Sequence, residues 1–276
     1  MARIVAISSY VAHGHVGLSA MVPALHALGH EVIGIPSVVL SNHYGHPDCA
    51  GSAVEPDVMA GMLEALQSNG WLEDVDALIS GYLANSEQVE LVAKAIDGLA
   101  NNGVDFLYAC DPVLGDDPGG LYIKEETANA LRDELVTLAD VVTPNRFELA
   151  WLAQEPVKDA ASADAAAEVL DVDVVLATSI PAHGDLATLL SSPEQVVQTT
   201  TPHYQGVPHG VGDLFAALFI GHALNGCDDA DALGRTAAAV ELIAETSRGA
   251  DELKLVAFLS RLATVESMAV ADLGLA

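Results

Sequence analysis

Residues 210–219 read Gly-Val-Gly-Asp-Leu-Phe-Ala-Ala-Leu-Phe, so two glycines and an aspartate directly precede an apolar helical run. Glycine lets the backbone approach a ligand closely, and the first turn of a helix presents N–H groups that have no partner inside the helix. The helix dipole also favours an anion there. Asp213 therefore has two interpretations. It caps the helix, or it lies beside an anion hole and takes a proton from an alcohol that attacks a phosphoryl group.

The rest of the chain alternates short apolar strands with helices. Strands are predicted at 4–7, 32–39, 77–80, 106–110, 141–143 and 172–177, and a hairpin at 187–190 and 195–199. Helices are predicted at 18–28, 57–67, 86–101 (capped by Ser86), 127–139, 147–154, 161–170, 214–224, 230–246 and 253–264. This alternation predicts an α/β fold with a doubly wound, mostly parallel central sheet and helices on both faces. Because no linker interrupts it, we expect a single domain over residues 1–276, with an unattached tail after about Ala269.

Composition excludes several classes of function. The chain has 39 acidic and 10 basic residues, a formal charge of −29, which argues against nucleic acid or an anionic membrane as a partner. Its three cysteines have no CxxC spacing, so neither a disulfide framework nor a zinc site is expected. No signal segment and no apolar run of about 18 residues is visible, which predicts a soluble cytoplasmic protein. The P-loop, HExxH, GxSxG and dinucleotide-binding fingerprints are absent.

Polar side chains follow three of the predicted strands. Ser9 follows the first strand, Asp111 follows the strand that ends at Cys110, and Asn145 follows the strand that ends at Thr143. Glu148 lies one helical turn beyond Asn145, so both can face one ion or its waters. Each also has a structural interpretation, as a turn former, a first-turn helix acid or a strand-end loop residue. Their coincidence with Asp213 on one sheet edge favours a site for phosphoryl transfer.

Seven strings in this chain also occur, in the same order, in pyridoxal kinases. The chain therefore resembles that family, a branch of the ribokinase-like superfamily, from about residue 4 to about residue 245. The strings are Ser9-Tyr10-Val11, Gly14-His15-Val16-Gly17, Ser41-Asn42-His43, Gly81-Tyr82-Leu83, Asp111-Pro112-Val113-Leu114-Gly115, Thr143-Pro144-Asn145-Arg146-Phe147-Glu148-Leu149 and Gly210-Val211-Gly212-Asp213-Leu214-Phe215-Ala216-Ala217.

The resemblance implies ATP-dependent phosphorylation of the 5′-hydroxymethyl group of pyridoxal, as in vitamin B6 salvage. Asp213 is then similar to the catalytic base, and the N–H groups of Gly210, Val211 and Gly212 to the anion hole. Ser9 would hold the polar edge of the pyridine ring. The expected substrate-pocket residues are Ser41, His43, Tyr44, Gly45 and, closing over the ring, Tyr82.

The resemblance also implies ATP as co-substrate, Mg²⁺, a monovalent cation and a homodimer. Asp111, Asn145 and Glu148 would organise Mg²⁺ and the nucleotide phosphates, with Asp111 and Glu148 on the metal. The remaining expected ATP contacts are Thr143, Thr178, Thr201, Pro202, His203 and Tyr204. Thr178 stands where some relatives offer a lysine toward ATP.

Several alternatives remain open at this stage. Arg146 is the nearest cation to the phosphate region, although a solvated surface arginine is the favoured interpretation. His13, His15, His43 and His46 favour loop contacts over a zinc site. The competing functions are a kinase of a related small alcohol, such as hydroxymethylpyrimidine or a sugar, and a non-catalytic carrier of pyridoxal phosphate.

Overall fold

In the computed structural model, which describes residues 1–274, a ten-stranded sheet and a two-stranded sheet are flanked by helices. The strands are β1 (Arg3–Val11), β2 (Glu31–Leu40), β3 (Gly51–Ala53), β4 (Ala77–Ser80), β5 (Leu107–Cys110), β6 (Gly115–Asp116), β7 (Gly120–Leu121), β8 (Val141–Val142), β9 (Val174–Ala182), β10 (Asp185–Ser191), β11 (Val196–Thr201) and β12 (Ala271–Asp272). The helices are α1 (Leu18–Ala27), α2 (Pro56–Ser68), α3 (Ser86–Asn101), α4 (Glu125–Ala130), α5 (Arg146–Ala153), α6 (Ala160–Val169), α7 (Val211–Leu224) and α8 (Asp229–Ser247).

The large sheet has the order β12-β11-β10-β9-β8-β5-β4-β1-β2-β3. Its six central strands, β9 to β2 in that order, run parallel, whereas β3 at one edge and β10 to β12 at the other pair antiparallel. The prediction of a doubly wound, mostly parallel sheet is confirmed. Parallel strands end at the same edge, so the loops that follow them converge there.

Both faces of the sheet are buried, which explains why its central strands are mainly apolar. In β4, Leu78 packs into a cluster with α2 to α6, while Ala77 and Ile79 face a second cluster with α1, α7 and α8. Side chains that alternate between two apolar layers need no polar face. Helix α7 lies inside the second layer, and residues Leu214 through His222 are all buried.

Several local predictions need correction. The predicted helix at 127–139 is α4, starting at Glu125, followed by a π-helical turn (Leu131–Leu135) and a 3₁₀ turn (Val136–Leu138). The predicted helix at 253–264 consists of two 3₁₀ segments (Leu255–Ala257 and Leu259–Thr264). Here Leu255 and Phe258 are buried at a spacing of three, the period of a 3₁₀ turn.

The cap of α3 and the chain after Ala269 also differ from the prediction. Asn85, not Ser86, caps α3, because the Asn85 side chain accepts from the backbone N–H of Gln88 at 2.9 Å. The tail is attached as far as it is described: β12 pairs with β11, and the Leu273 N–H donates to the Val196 carbonyl at 3.0 Å. An edge strand has unpaired backbone groups, and β12 satisfies part of that edge.

Candidate active site

The carboxyl ends of the parallel strands bring most of the predicted site residues to one edge. Asp111 follows β5, Thr143 and Asn145 follow β8, and Thr178 lies in β9. The Thr178 N–H donates to the Pro144 carbonyl at 2.9 Å, which joins the end of β8 to β9. Ser9 lies near the end of β1, and a Cβ on Gly17 would come within 2.2 Å of its Oγ, so the glycine-rich loop before α1 packs directly on it.

The first turn of α7 is open toward a ligand. Its N-cap is Gly210, which has a φ of 102° and no side-chain cap. A Cβ on Gly210 would lie 1.9 Å from the carbonyl oxygen of His15, so only glycine fits there. The first N–H to bond back into the helix is that of Leu214, to the Gly210 carbonyl at 3.0 Å. The N–H groups of Val211 and Gly212 therefore have no acceptor within α7, and a Cβ on Gly212 would meet nothing within 4 Å.

Asp213 lies in this first turn rather than at the N-cap position, so the interpretation of Asp213 as the cap of α7 is wrong. Burial raises the pKa of Asp213 to about 6, opposed by the N–H groups of Gly17 and of Asp213 itself. Burial and the nearby charge of Asp213 raise the pKa of Asp111 to about 8, opposed by a 2.9 Å hydrogen bond from Thr143 Oγ1. The repulsion is reciprocal, and the more deeply buried Asp111 carries the larger shift.

Asn145 and Glu148 form a capping box at the start of α5. Glu148 Oε2 accepts from the Asn145 N–H at 2.8 Å, and Asn145 Oδ1 accepts from the Glu148 N–H at 3.0 Å. Glu148 Oε1 accepts from the N–H groups of Leu114 and Gly115 at 3.0 and 3.4 Å, and Asn145 Nδ2 donates to the Gly115 carbonyl at 2.8 Å. The pair thus attaches the loop after β5 to α5, as its structural interpretation predicts.

The oxygens of this edge suit a hard divalent cation. Burial, with Asp111 nearby, raises the pKa of Glu148 well above its ordinary value, so ionising both carboxyls is costly unless a cation is bound. A cation relieves such charge, and carboxylate oxygens are ligands that Mg²⁺ prefers. Among residues 1–274, no group of three or more His, Cys, Asp or Glu side chains is arranged to hold a metal by itself. An ion on Asp111 and Glu148 would need water or phosphate oxygens to complete its coordination.

The loop at 41–47 approaches the same edge from β2. The rings of His43 and His209 stack with centroids 4.1 Å apart, which brings this loop beside Gly210. His43 Nδ1 accepts from the Gly45 N–H at 3.0 Å. Ser41 Oγ donates to Asn42 Oδ1 at 2.6 Å.

Two tyrosines stand close to this loop. Tyr44 is 59% exposed, and Tyr82 is half-buried near it. Burial, with a smaller effect from Tyr44, raises the pKa of Tyr82. An exposed and a half-buried tyrosine can cover a flat heteroaromatic ring.

Two predicted residues are engaged elsewhere. Arg146, whose side chain is 32% exposed, pairs with Asp117 and donates to the Val157 carbonyl at 3.0 Å. This surface arginine therefore connects the β6–β7 hairpin to α5. In the segment Thr201 to Tyr204, the Tyr204 hydroxyl donates to Glu241 of α8 at 3.4 Å. Within residues 1–274, no side-chain hydrogen bond joins this segment to Asp111, Asn145, Glu148 or Asp213, and His203 contacts Gln205 instead.

Sequence reasoning missed three contacts of this edge. Gly17 donates its N–H to Asp213, His209 stacks on His43, and Glu252 bonds to His46. The pairs of this set lie up to 206 positions apart in the chain. No local pattern marks such contacts, because only the closure of the sheet brings the loops together.

This parallel sheet, with an open helix terminus and a carboxylate at its carboxyl edge, defines a kinase of the ribokinase-like class. A family model described as phosphomethylpyrimidine kinase matches residues 17–252. Pyridoxal kinase PdxY of Corynebacterium diphtheriae is 35% identical over 261 residues, which cover 92% of both chains. The chain belongs to the pyridoxal kinase family.

Solved structures agree with this assignment. Pyridoxal kinase from Entamoeba histolytica superposes with a TM-score of 0.94 at 26% identity, covering 99% of this chain and all of that one. Pyridoxal kinase from Leishmania donovani in complex with ADP and pyridoxine has a TM-score of 0.92 at 31% identity, covering 98% and 99%. The fold is therefore the ribokinase-like fold of these kinases.

Proposed function

We propose that this chain transfers the γ-phosphoryl group of ATP to the 5′-hydroxymethyl oxygen of pyridoxal, with Asp213 as the base. The activity is that of the family to which the chain belongs. The observation that carries the assignment of the base is the position of Asp213, half-buried in the first turn of α7 beside N–H groups that have no helical acceptor.

The chemistry follows from that position. Asp213 accepts the hydroxyl proton while the substrate oxygen bonds to the γ-phosphorus, and the bond from phosphorus to the departing ADP oxygen breaks. A pKa of about 6 keeps Asp213 ionised at pH 7 yet basic enough to take a proton. The N–H groups of Gly210, Val211 and Gly212 stabilise the charge of the transferred group. We propose that the pyridine ring binds in a pocket formed by six residues: Ser9, Ser41, His43, Tyr44, Gly45 and Tyr82.

The nucleotide and its metal occupy the neighbouring part of the edge in this proposal. Asp111 and Glu148 would hold Mg²⁺, which neutralises phosphate charge in phosphoryl transfer. Support comes from their raised pKa values, since two buried acids close to each other favour a cation. The proposed ATP contacts are Thr143, Asn145, Thr178, Thr201, Pro202, His203 and Tyr204. Removing divalent cations with EDTA should abolish activity, and added Mg²⁺ should restore it.

Further aspects are proposed with the activity. We propose that residues 1–276 form one domain, because ten strands share a sheet.

We also propose that the protein is a homodimer and that it requires a monovalent cation. The exposed apolar side chains of Val58 and Met62, on one face of α2, support the dimer. No helix in the described part of the chain is long and apolar enough to cross a bilayer, and we propose a cytoplasmic location. Sedimentation and exchange of K⁺ for tetramethylammonium test the dimer and the cation.

Hydroxymethylpyrimidine is the second candidate substrate. The observation that favours it is the family model, whose description names a phosphomethylpyrimidine kinase. Both candidates present a hydroxymethyl group on a flat heteroaromatic ring, so the same base and anion hole would serve either. Turnover of the two compounds by one preparation, at equal Mg-ATP, compares the candidates directly, and we expect the higher kcat/KM for pyridoxal.

The test of the base is Asp213→Asn. We expect kcat for pyridoxal to fall about 10²- to 10⁴-fold, the usual contribution of a general base, while pyridoxal binding changes little. The matched control is Asp164→Asn, because Asp164 is also buried but bonds to Ser191 on the far side of β9. Equal activity of Asp213→Asn and wild type would refute the assignment. A wild-type protein that leaves pyridoxal unphosphorylated would refute the function itself.

A further inference from the structure

Four loops meet around one carboxylate at the substrate end of the site. They are the loops at 12–17, 41–47, 206–210 and 248–254, and the carboxylate is that of Glu252, whose side chain is 14% exposed. No part of the proposed phosphoryl transfer uses this residue. A buried carboxylate costs stability unless it is paired, so its contacts indicate what it does.

Glu252 contacts two of the loops directly. Its Oε1 lies 2.9 Å from His46 Nε2, which attaches it to the loop at 41–47. Its Oε2 packs on Gly14, where an added Cβ would lie 2.2 Å from that oxygen. A single side chain thus contacts both the loop that bears His43 and Tyr44 and the loop that precedes α1.

The same junction reaches the open end of α7. The carbonyl of His15, one residue from Gly14, packs on Gly210, and so does the side chain of Leu253, the neighbour of Glu252. His43 stacks on His209, the residue before Gly210. Burial and the proximity of His209 lower the pKa of His43 to about 4, so these two rings stack without a charge on His43 at neutral pH.

We propose that Glu252 is a positioning residue: by holding His46 and the backbone at Gly14, it fixes the pyridoxal pocket against the first turn of α7. This inference rests on the proposed placement of pyridoxal between the loop at 41–47 and Asp213. Glu252 takes no proton and touches no phosphate. Its carboxylate sets where the ring, and therefore the hydroxymethyl group, stands relative to the base. Positioning of this kind controls both binding and the fraction of bound substrate that can react.

The experiment is steady-state kinetics of Glu252→Gln and His46→Ala in the full-length enzyme. Each variant should raise KM for pyridoxal about fivefold to tenfold and leave KM for Mg-ATP within about twofold, because only the substrate loops lose a charge-assisted contact. The double variant should cost no more than the worse single variant, since both remove one contact. Titration of pyridoxal without ATP should give a matching rise in Kd.

The control is Asp251→Asn, which removes the same charge from the adjacent exposed position. It should leave both KM values unchanged. The inference would be overturned if Glu252→Gln left the pyridoxal KM unchanged. It would also be overturned if the increase in pyridoxal KM of the double variant equalled the product of the two single increases. Equal rises in both KM values, or a melting temperature lowered in proportion to lost activity, would show a general structural role instead. Failure of Asp213→Asn to lose activity would refute the base assignment and leave the result for Glu252 unaffected.

Discussion

Asp111 and Asp213 place two carboxylates side by side in a chain with few cations. The pKa of Asp111 is raised above that of Asp213, and the carboxyl of Asp111 is held by Thr143 Oγ1 at 2.9 Å. In the absence of a bound cation, the folded protein therefore holds a proton on Asp111 more tightly than the unfolded chain does. Ionising Asp111 costs folding free energy, and that cost grows as the pH rises from about 4 to about 8.

Asp111→Asn should stabilise the metal-free protein and impair the enzyme. Asparagine has the same shape and keeps an acceptor for Thr143, yet it carries no charge. We expect the melting temperature in EDTA to rise by several degrees at pH 8 and by less at pH 5, where Asp111 is already largely protonated, on the scale of about 2–4 °C per kcal/mol. Scanning calorimetry at the two pH values measures this, with kcat/KM recorded alongside. A melting temperature that falls, or rises equally at both pH values, would contradict the prediction.

At the scale of single residues, the sequence predicted positions better than roles. Asp111 and Asp213 could be assigned to one edge because each adjoins the end of a strand or the start of a helix. Glu148 shows the limit: a first-turn acid at this spacing fits both a metal ligand and a capping box. The hydrogen bonds show the capping box, and the metal role stays a proposal. No pattern in the sequence indicated a role for Glu252, because its partner His46 lies 206 residues away.

The connection between β8 and α5 links local helix stability to the part of the site where we propose that the nucleotide binds. Its capping box is also the attachment point of the loop after β5, through the 2.8 Å bond from Asn145 Nδ2 to the Gly115 carbonyl. The chain contains a second capping box, Asp159 with Ser162 at the start of α6, which contacts no predicted site residue. The two boxes make a matched pair for an experiment.

Asn145→Ala should therefore affect both stability and ATP use. We expect a loss of about 1–2 kcal/mol in the free energy of unfolding, because a cap and a loop contact disappear together. KM for Mg-ATP should rise about tenfold as the loop after β5 loosens. Asp159→Ala should lose about 1 kcal/mol and leave KM unchanged. Denaturant titration and kinetics of both variants test this, and equal KM values in the two would exclude the coupling.

At the scale of elements, strands between two apolar layers were the easiest to predict. The bounds of β4 follow from its sequence, because the three apolar residues Ala77 to Ile79 lie between Asp76 and Ser80 and leave few alternatives. The prediction of an α-helix at 253–264 was wrong. Burial at Leu255, Phe258 and Leu262 also suits 3₁₀ turns, and over such a short segment the periodicity does not distinguish 3₁₀ turns from an α-helix. The short strand β12 was missed because its partner β11 is distant in sequence, and β3 was missed because it has only three residues.

The whole molecule carries a formal charge of −29 and must bind a polyanionic nucleotide. Repulsion between the two extends over about 30 Å at 0.01 M salt and about 8 Å at 0.15 M. We expect KM for Mg-ATP to fall about twofold to fivefold as tetramethylammonium chloride rises over that range, because screening weakens the repulsion. A constant low concentration of K⁺ is present throughout and only tetramethylammonium is varied, so that the proposed cation requirement does not contribute.

Pyridoxal, which is near neutral, provides the internal control for this salt effect. Its KM should change by less than about twofold over the same range, because it feels little of the long-range potential. A KM for Mg-ATP that is constant or rises with salt would contradict the prediction. At this scale the sequence predicted both the charge and the fold class, since composition and strand–helix alternation are properties of the whole chain.

The burial of α7 has a mechanical consequence. Nine consecutive residues after its first turn are buried, so the N–H groups proposed to bind the phosphoryl group are attached to a fixed part of the interior. Substrate entry and product release must then be accomplished by the loops around that fixed terminus, while the terminus stays still. In hydrogen–deuterium exchange, amides at 41–47 and 111–122 should gain protection on ligand binding, and those at 214–222 should be slow throughout.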